Sequence, residues 1–396
     1  MLLIIIKNAE VYAPEYLGKK YVVIAGPVIE GVYDGLDIPE GFPGIELIDG
    51  EGKLLFPGFI DSHVHIIGGG GEGGFKTRTP EIQLSQLVSA GITTVVGCLG
   101  TDGVTRSIKT LLAKAYSLEE EGISSYIFTG SYQIPLVSIT GKSSEDIILI
   151  EKVIGIGEIA VSDNRSSQPS YEEFIKVVAE ARVAGLISGK VGVVNLHIGN
   201  GREGLEYLMK MLKDTDIPVA QVIPTHINRS RELLNKGVKY AELGGILDLT
   251  TSFDINHLED TELRAAEALK ILLDKGVNIE QIQFTSDGQG SLPIFDEKGA
   301  FKGFGIGSVK SLYEETKEAV LSYDVDLEKA IKVITSNVAD HLKLKNKGRI
   351  KGEKDADLVL VDKETLEIRD VFAKGKAMMV DGRLLVKGTF EDRESF

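Results

Sequence analysis

The sequence predicts an α/β protein: a (β/α)8 TIM-type barrel carrying a small, discontinuous β domain built from both chain ends. Three observations predict it. Between residues 57 and 345, apolar strand-like runs alternate with amphipathic helical stretches, the pattern of a parallel sheet wrapped by helices. The flanking segments, 1–56 and 346–396, hold short β-like runs broken by Gly, Pro and Asn, which read as turns between strands. The chain has 45 Gly but only 11 Pro in 396 residues, so tight turns at element ends are expected rather than a Pro-rich linker.

Taken in chain order, the first segment offers the strand-like runs Leu2–Ile6, Tyr21–Ile24, Ile45–Ile48 and Lys53–Phe56. The central region follows with an apolar run opened by Pro57-Gly58. Then come Thr93–Cys98, Ser125–Thr129, Val191–His197, Ala220–Thr225, Ile246–Thr250 and Gln281–Ser286, which read as buried parallel strands. Glu172–Ala184, Arg202–Lys213, Thr261–Lys275 and Ser308–Ser322 carry helical periodicity. The last segment returns to short strands at Leu358–Val361, Asp370–Ala373, Met378–Val380 and Leu384–Val386. No repeat of 20–50 residues is present, which excludes a solenoid.

The charge balance narrows the function. A net charge of −15 argues against a nucleic acid or an anionic membrane as partner, since both reward basic patches. A single cysteine excludes an intrachain disulfide and a cysteine zinc cluster. The apolar start, Met1–Ile6, breaks at Lys7-Asn8, short of a membrane span or signal peptide. A soluble, acidic, cytoplasmic protein is expected.

Six histidines can be weighed one by one. His63 and His65 follow Phe59-Ile60-Asp61-Ser62, and the period of two in a strand puts both rings on one side. Two neutral imidazoles so placed can grip one cation. His197 closes the run Val191–His197, His226 follows Ala220–Thr225, and Asp287 follows Gln281–Ser286. Five ligand-type residues thus stand at C-terminal strand ends, where barrel sites are built. Singly, each has an ordinary reading as a packed or surface polar group. His257 and His341 read as ordinary, and Cys98 as a small packed residue in an apolar strand.

At these residues a resemblance appears. Pro57-Gly58-Phe59-Ile60-Asp61-Ser62-His63-Val64-His65, with His197, His226 and Asp287, resembles the amidohydrolase superfamily. So does the tail from Gly348-Arg349-Ile350 through Asp355-Ala356-Asp357-Leu358-Val359. Other stretches are similar to the isoaspartyl dipeptidase family within it. They include Gly68–Gly71-Glu72, Leu99-Gly100-Thr101-Asp102, Thr129-Gly130-Ser131-Tyr132, Ser162-Asp163-Asn164-Arg165, Pro224-Thr225-His226-Ile227-Asn228-Arg229 and Ser286-Asp287-Gly288-Gln289-Gly290-Ser291. The likeness spans nearly the whole chain.

The resemblance implies zinc-dependent hydrolysis of β-aspartyl dipeptides, with two Zn2+ per subunit and a homo-oligomer. It implies that His63, His65 and Asp287 hold one ion and His197 and His226 the other, sharing a hydroxide that attacks the peptide. Asp287 would act as general base and acid. Glu72, with the backbone of Gly70 and Gly71, would receive the substrate ammonium. Arg165, Arg229 and Ser291 would hold its carboxylates, Thr101 would add a hydroxyl contact, and Tyr132 would donate to the developing oxyanion.

One position departs from the family, which carries a carbamylated lysine bridging its metals. Here that position is Glu158. A carboxylate can bridge two cations, but its arm is shorter, so the strand must bulge toward the metals or the metals must shift. Gly155-Ile156-Gly157 is one residue longer than the family pattern and would permit a bulge. Alternatives stay open: a mononuclear site, or a modified lysine from elsewhere such as Lys190 or Lys152. The arginines could form surface ion pairs and Tyr132 could be core. A cyclic amidase, an N-acyl-amino-acid deacylase or a non-catalytic scaffold would share the fold.

Overall fold

The computed structural model describes residues 3–38, 44–253, 262–296 and 301–391. Among them, eight parallel strands follow one another through the middle of the chain. These are β1 (Phe59–Val64), β2 (Ile92–Gly97), β3 (Ser124–Thr129), β4 (Val153–Val161), β5 (Val193–Ile198), β6 (Val222–Thr225), β7 (Leu247–Thr250) and β8 (Ile282–Thr285). The first six form one curled sheet in sequence order, and β7 pairs with β8. Side-chain and backbone links join the two sheets. Asn228 donates to Thr250 O at 2.9 Å and accepts from Thr250 N at 2.8 Å, standing in for a ladder between β6 and β7. On the other side, His65 N donates to Gly288 O at 2.9 Å, just past β1 and β8. The arrangement is consistent with a TIM-type barrel.

Local chemistry explains the helices between the strands. The helix Tyr171–Ser188 starts at Ser170, whose hydroxyl accepts from Glu173 N while the Glu173 carboxylate accepts from Ser170 N, a reciprocal cap. The helix Ile108–Glu121 starts at Ser107 in a similar way, its side chain accepting from Thr110 N. The expected helices at Glu172–Ala184, Arg202–Lys213 and Ser308–Ser322 are found as Tyr171–Ser188, Glu206–Asp214 and Ser311–Leu321. The expected Thr261–Lys275 is Ala265–Asp274, and Thr261 itself lies outside the described residues.

Inward-facing Ile60, Val96, Phe128, Ile154, Val193 and Ile223 come from six successive strands and pack into one buried cluster. Val338, Ala339 and Leu342, on or just after the helix Ser336–His341, pack against the same cluster. This apolar plug fills the sheet interior toward the N-terminal strand ends and leaves the C-terminal ends for polar groups.

The two chain ends meet in sheets of their own. Strands 28–33, 21–25, 3–7 and 45–49 form one. A second sheet pairs Lys53–Pro57 antiparallel with Leu358–Asp362, Phe56 facing Val359 and Leu55 facing Leu360. Near the C-terminus the expected run Leu384–Val386 is a strand only at Arg383–Leu384, although Leu385 N still donates to Met378 O at 2.9 Å. No helix among the described residues is long and apolar enough to cross a membrane.

Lys347 ties these sheets to the parallel one. Its ammonium, 4 % exposed, lies 2.5 Å from Asp357, 2.7 Å from Asp355 and 2.6 Å from the Ser124 hydroxyl at the start of β3. Removing it strands the Asp357 carboxylate in a dry site, a loss of about 3–5 kcal/mol for a broken buried pair. We therefore expect Lys347→Ala to lower the urea midpoint strongly, whereas Lys19→Ala at the exposed Glu51 pair should leave it nearly unchanged. Equal midpoints for the two variants would contradict this.

Candidate metal centre and active-site cleft

The histidines expected to converge do converge. His63 lies in β1, His65 just past it, His197 in β5, His226 one residue beyond β6 and Asp287 two beyond β8. His226 and Asp287 both take left-handed backbone conformations, φ 64° and 53°. Such a turn is tolerated by His and Asp better than by branched residues, and here it occurs where each strand stops.

Glu158 stands at the centre. Its Oε2 lies 3.1 Å from His197 Nδ1, 3.4 Å from His63 Nε2 and 3.8 Å from His226 Nε2, and its Oε1 lies 3.5 Å from His65 Nε2. Asp287 Oδ1 is 3.0 Å from His65 Nε2 and 3.7 Å from His63 Nε2. How Glu158 reaches so far is visible in β4. The β4–β5 register shifts between Ile156 and Ile159, and a Cβ on Gly157 would sit 2.8 Å from the Asn195 Cβ. Only glycine lets the backbone press this close to β5, and Glu158 follows within the same irregularity.

Neighbouring groups orient the imidazoles. Asp163 Oδ2 lies 3.0 Å from His197 Nε2. Glu158 Oε2 lies 3.1 Å from Nδ1 on the other side of the ring, so a carboxylate faces each nitrogen of His197 and the two hold the ring in place. Thr250 Oγ1, 2.6 Å from His226 Nδ1, leaves His226 Nε2 toward the cluster, 2.9 Å from His197 Nδ1.

The electrostatics call for positive charge. Burial works against ionising Glu158, yet the His63 charge and hydrogen bonds from His197 and His226 hold its carboxyl well below the usual range. Burial likewise opposes charge on His63 and His65, but Cys98 and Glu158 pull His63, and Cys98 and Asp287 pull His65, well above the ordinary imidazole value. Burial and the nearby Arg229 push His226 down to about 3, so it is neutral. Both His63 nitrogens and Asp287 Oδ1 are buried without a hydrogen-bond partner among the described residues. Two overlapping groups could hold metal: His63, His65, Cys98 and Glu158, and then Glu158, His197 and His226. Imidazoles and carboxylates with orphaned atoms of this kind fit divalent cations such as zinc.

Above the cluster opens a cleft of about 630 Å³. Asp287, a quarter exposed, faces it, whereas His63 and Glu158 lie beneath its floor. Tyr132 lines one wall, its hydroxyl 2.9 Å from His197 Nδ1 and the Arg165 guanidinium 5.4 Å from its ring centre. Burial and the Glu158 charge push this phenol well above its usual range, so it stays protonated. Glu72 accepts from Thr101 at 2.8 Å and from Ser291 at 3.2 Å, with Arg165 3.5 Å away. Arg165 and Arg229 lie 2.8 Å and 3.9 Å from Asp163 Oδ2. Gly70 lines the cleft, while Gly71 falls just outside its lining.

Some expectations need correction. Lys190 donates to the carbonyls of Ile147, Ile150 and Val153, and Lys152 to Glu119 and Ser125 O. Both therefore sit at the N-terminal end of β4, and neither can supply a bridging carbamate. Cys98 is packed and buried as expected, but its Sγ faces the His65 ring at 3.9 Å. Its place one residue past β2, at a C-terminal strand end, was the available signal. Asp163 had no expected role of its own, and its spacing of two from Arg165 was the clue. His341 is ordinary, hydrogen-bonded to Gln283 and to Glu280 O. His257 lies outside the described residues.

Comparison with known proteins supplies the family. Residues 54–385 match the model of the amidohydrolase family. The chain belongs to the amidohydrolase family. This amidohydrolase is similar to the structure of a β-aspartyl dipeptidase from Fervidobacterium islandicum AW-1 in complex with β-Asp-Leu, at 46% identity over 97% of both chains with a TM-score of 0.90. A dihydroorotase from Carboxydothermus hydrogenoformans is 25% identical, with 84% of this chain and 83% of that protein covered. A dihydropyrimidinase from Brevibacillus agri NCHU1002 shares the fold alone, with a TM-score of 0.68, 16% identity, and 98% of this chain and 97% of that one covered.

Beside the cluster, Asp248 in β7 accepts from the Thr285 hydroxyl at 3.0 Å and 2.9 Å, and burial pushes it up to about 7. Unfolded, the same carboxyl titrates near 3.9. The folded state therefore keeps a proton that the unfolded chain releases between about pH 4 and about pH 7. Stability present at the acid end is lost as pH rises through that window, by about 4 kcal/mol in total. In the metal-free amidohydrolase, Asp248→Asn should flatten the fall in urea midpoint across this range. An unchanged slope would contradict the assignment.

Proposed function

We propose that this amidohydrolase cleaves the isopeptide bond of β-aspartyl dipeptides with two Zn2+, which His63, His65, Glu158, His197, His226 and Asp287 would hold. The observation that carries this reading is the charge layout of one cleft. A carboxylate (Glu72) and two guanidiniums (Arg165, Arg229) line the cleft whose floor covers the imidazole–carboxylate cluster. A β-aspartyl dipeptide offers one ammonium and two carboxylates, which these groups match. The similarity to a β-aspartyl dipeptidase at 46% identity, bound in its structure to β-Asp-Leu, supports the same substrate class. A cyclic amide, such as the substrates implied by the names of the more distant relatives, would leave this charge set largely unmatched.

In this reading His63, His65 and Asp287 would hold one ion and His197 and His226 the other, with Glu158 within reach of both sets. Bound there, the cations supply Lewis acidity at the scissile carbonyl and an attacking water acidic enough to react near neutral pH. The protein's own groups do the rest. Asp287 is held ionised by the nearby His65 and His63 despite its burial, so it can take the proton of the attacking water and return it to the leaving amine. Tyr132, kept protonated, donates to the oxyanion as it forms. Glu72 receives the α-ammonium beside the backbone of Gly70. Arg165, Arg229 and Ser291 hold the carboxylates, and Thr101 positions Glu72. The parallel strands would close as a (β/α)8 barrel spanning 57–345, with 1–56 and 346–396 forming the small β domain.

The test is turnover of paired substrates by the zinc-loaded protein. β-Asp-Leu should be hydrolysed and α-Asp-Leu much less. Tyr132→Phe should lower kcat by about 10²–10³ with a smaller change in KM. Equal turnover of both dipeptides, or of neither, would overturn the proposal.

A further inference from the structure

Cys98 follows β2 directly, and the period of two puts it on the same face as Val96, inside the curled sheet. Gly97, between them, faces the other way, toward Ile66 and Leu111. Cys98 thus occupies the next level above the apolar plug, at the height of the imidazoles. It is fully buried, and its Sγ lies 3.9 Å from His65 Nδ1 and 3.8 Å from Val64 O. One donor atom from each of His63, His65, Cys98 and Glu158 falls within 4.8 Å of all the others.

We infer that Cys98 is a protein ligand to the cation held by His63 and His65, its sulfur joining Glu158 and the imidazoles around that ion. Donor atoms bound to one zinc at about 2.0–2.3 Å stand roughly 3.5 Å from each other, so only small side-chain adjustments separate the present spacing from coordination. An independent observation points to the same place. Both nitrogens of His63 are fully buried with no hydrogen-bond partner among the described residues, and unsatisfied buried polar atoms are uncommon unless something binds them. Thiolate is a strong zinc ligand. On binding, the S–H bond is replaced by a sulfur–metal bond, and the proton leaves to solvent.

This inference rests on the metal reading above, and its test keeps the two apart. The protein is stripped of metal, reloaded with Co2+ alone, and examined for bound cobalt and for near-ultraviolet absorption. Because Cys98 is the chain's single cysteine, any thiolate-to-cobalt charge-transfer band belongs to it. We expect that band in the wild type. We expect Cys98→Ser to lose it and to hold its first cobalt at least about tenfold more weakly, with an unchanged metal-free melting temperature. Cobalt bound at two per chain without the band overturns the ligand and leaves the metal reading standing. No bound cobalt overturns both. The wild-type spectrum decides even if the serine variant fails to fold.

Discussion

Four imidazoles, two carboxylates and a thiol crowd one buried space at the C-terminal strand ends, and they can share it only if positive charge lies among them. Glu158 is the sharpest case: 1 % exposed, within 4 Å of four histidines, and held ionised. Burying a lone carboxylate costs several kcal/mol. Protons on His63 and His65 relieve that cost in the metal-free protein, and divalent cations would relieve it further while freeing those rings to act as ligands. The surrounding structure serves this need. The apolar plug closes the sheet below, Asp163 and Thr250 fix the ring orientations, and the cleft opens above.

The bulge in β4 shows how a short side chain can reach a buried cluster of imidazoles. Gly157 allows the backbone to approach Asn195 more closely than any side chain would, and the register shift carries Glu158 toward the imidazoles. The backbone moves so that the two-carbon arm need not stretch. In the proposed reading, specificity is separated from this chemistry by depth. Glu72, Thr101, Ser291 and the two arginines stand higher in the cleft, where they can exchange their mutual contacts for those of a charged ligand without disturbing the buried donors.

Much of this is legible in the sequence because the chemistry follows strand periodicity. His63 and His65 are two apart at the end of an apolar run, and His197, His226 and Asp287 each close another, so their convergence follows from the fold class. Other features are hidden for physical reasons. Cys98 is indistinguishable from core in an apolar run, because only the neighbouring strands reveal that its level in the sheet is the level of the imidazoles. Asp163 acts through His197, a contact made across 34 residues of chain. The pairing of both chain ends in one sheet shows as texture at each end, but the partners Leu55 and Leu360 are fixed only by three-dimensional packing. Gly71 looked equivalent to Gly70, yet the loop turns it out of the cleft wall.

Whether a carboxylate has replaced a carbamate as the bridge can be measured directly. The protein would be stripped of metal, reloaded with zinc in buffer purged of carbon dioxide and bicarbonate, and crystallised for diffraction on both sides of the zinc absorption edge. Two anomalous peaks per chain are expected, one on each side of the Glu158 carboxylate. A single peak with that carboxylate turned aside, or a second peak that returns only when bicarbonate is supplied, would contradict it.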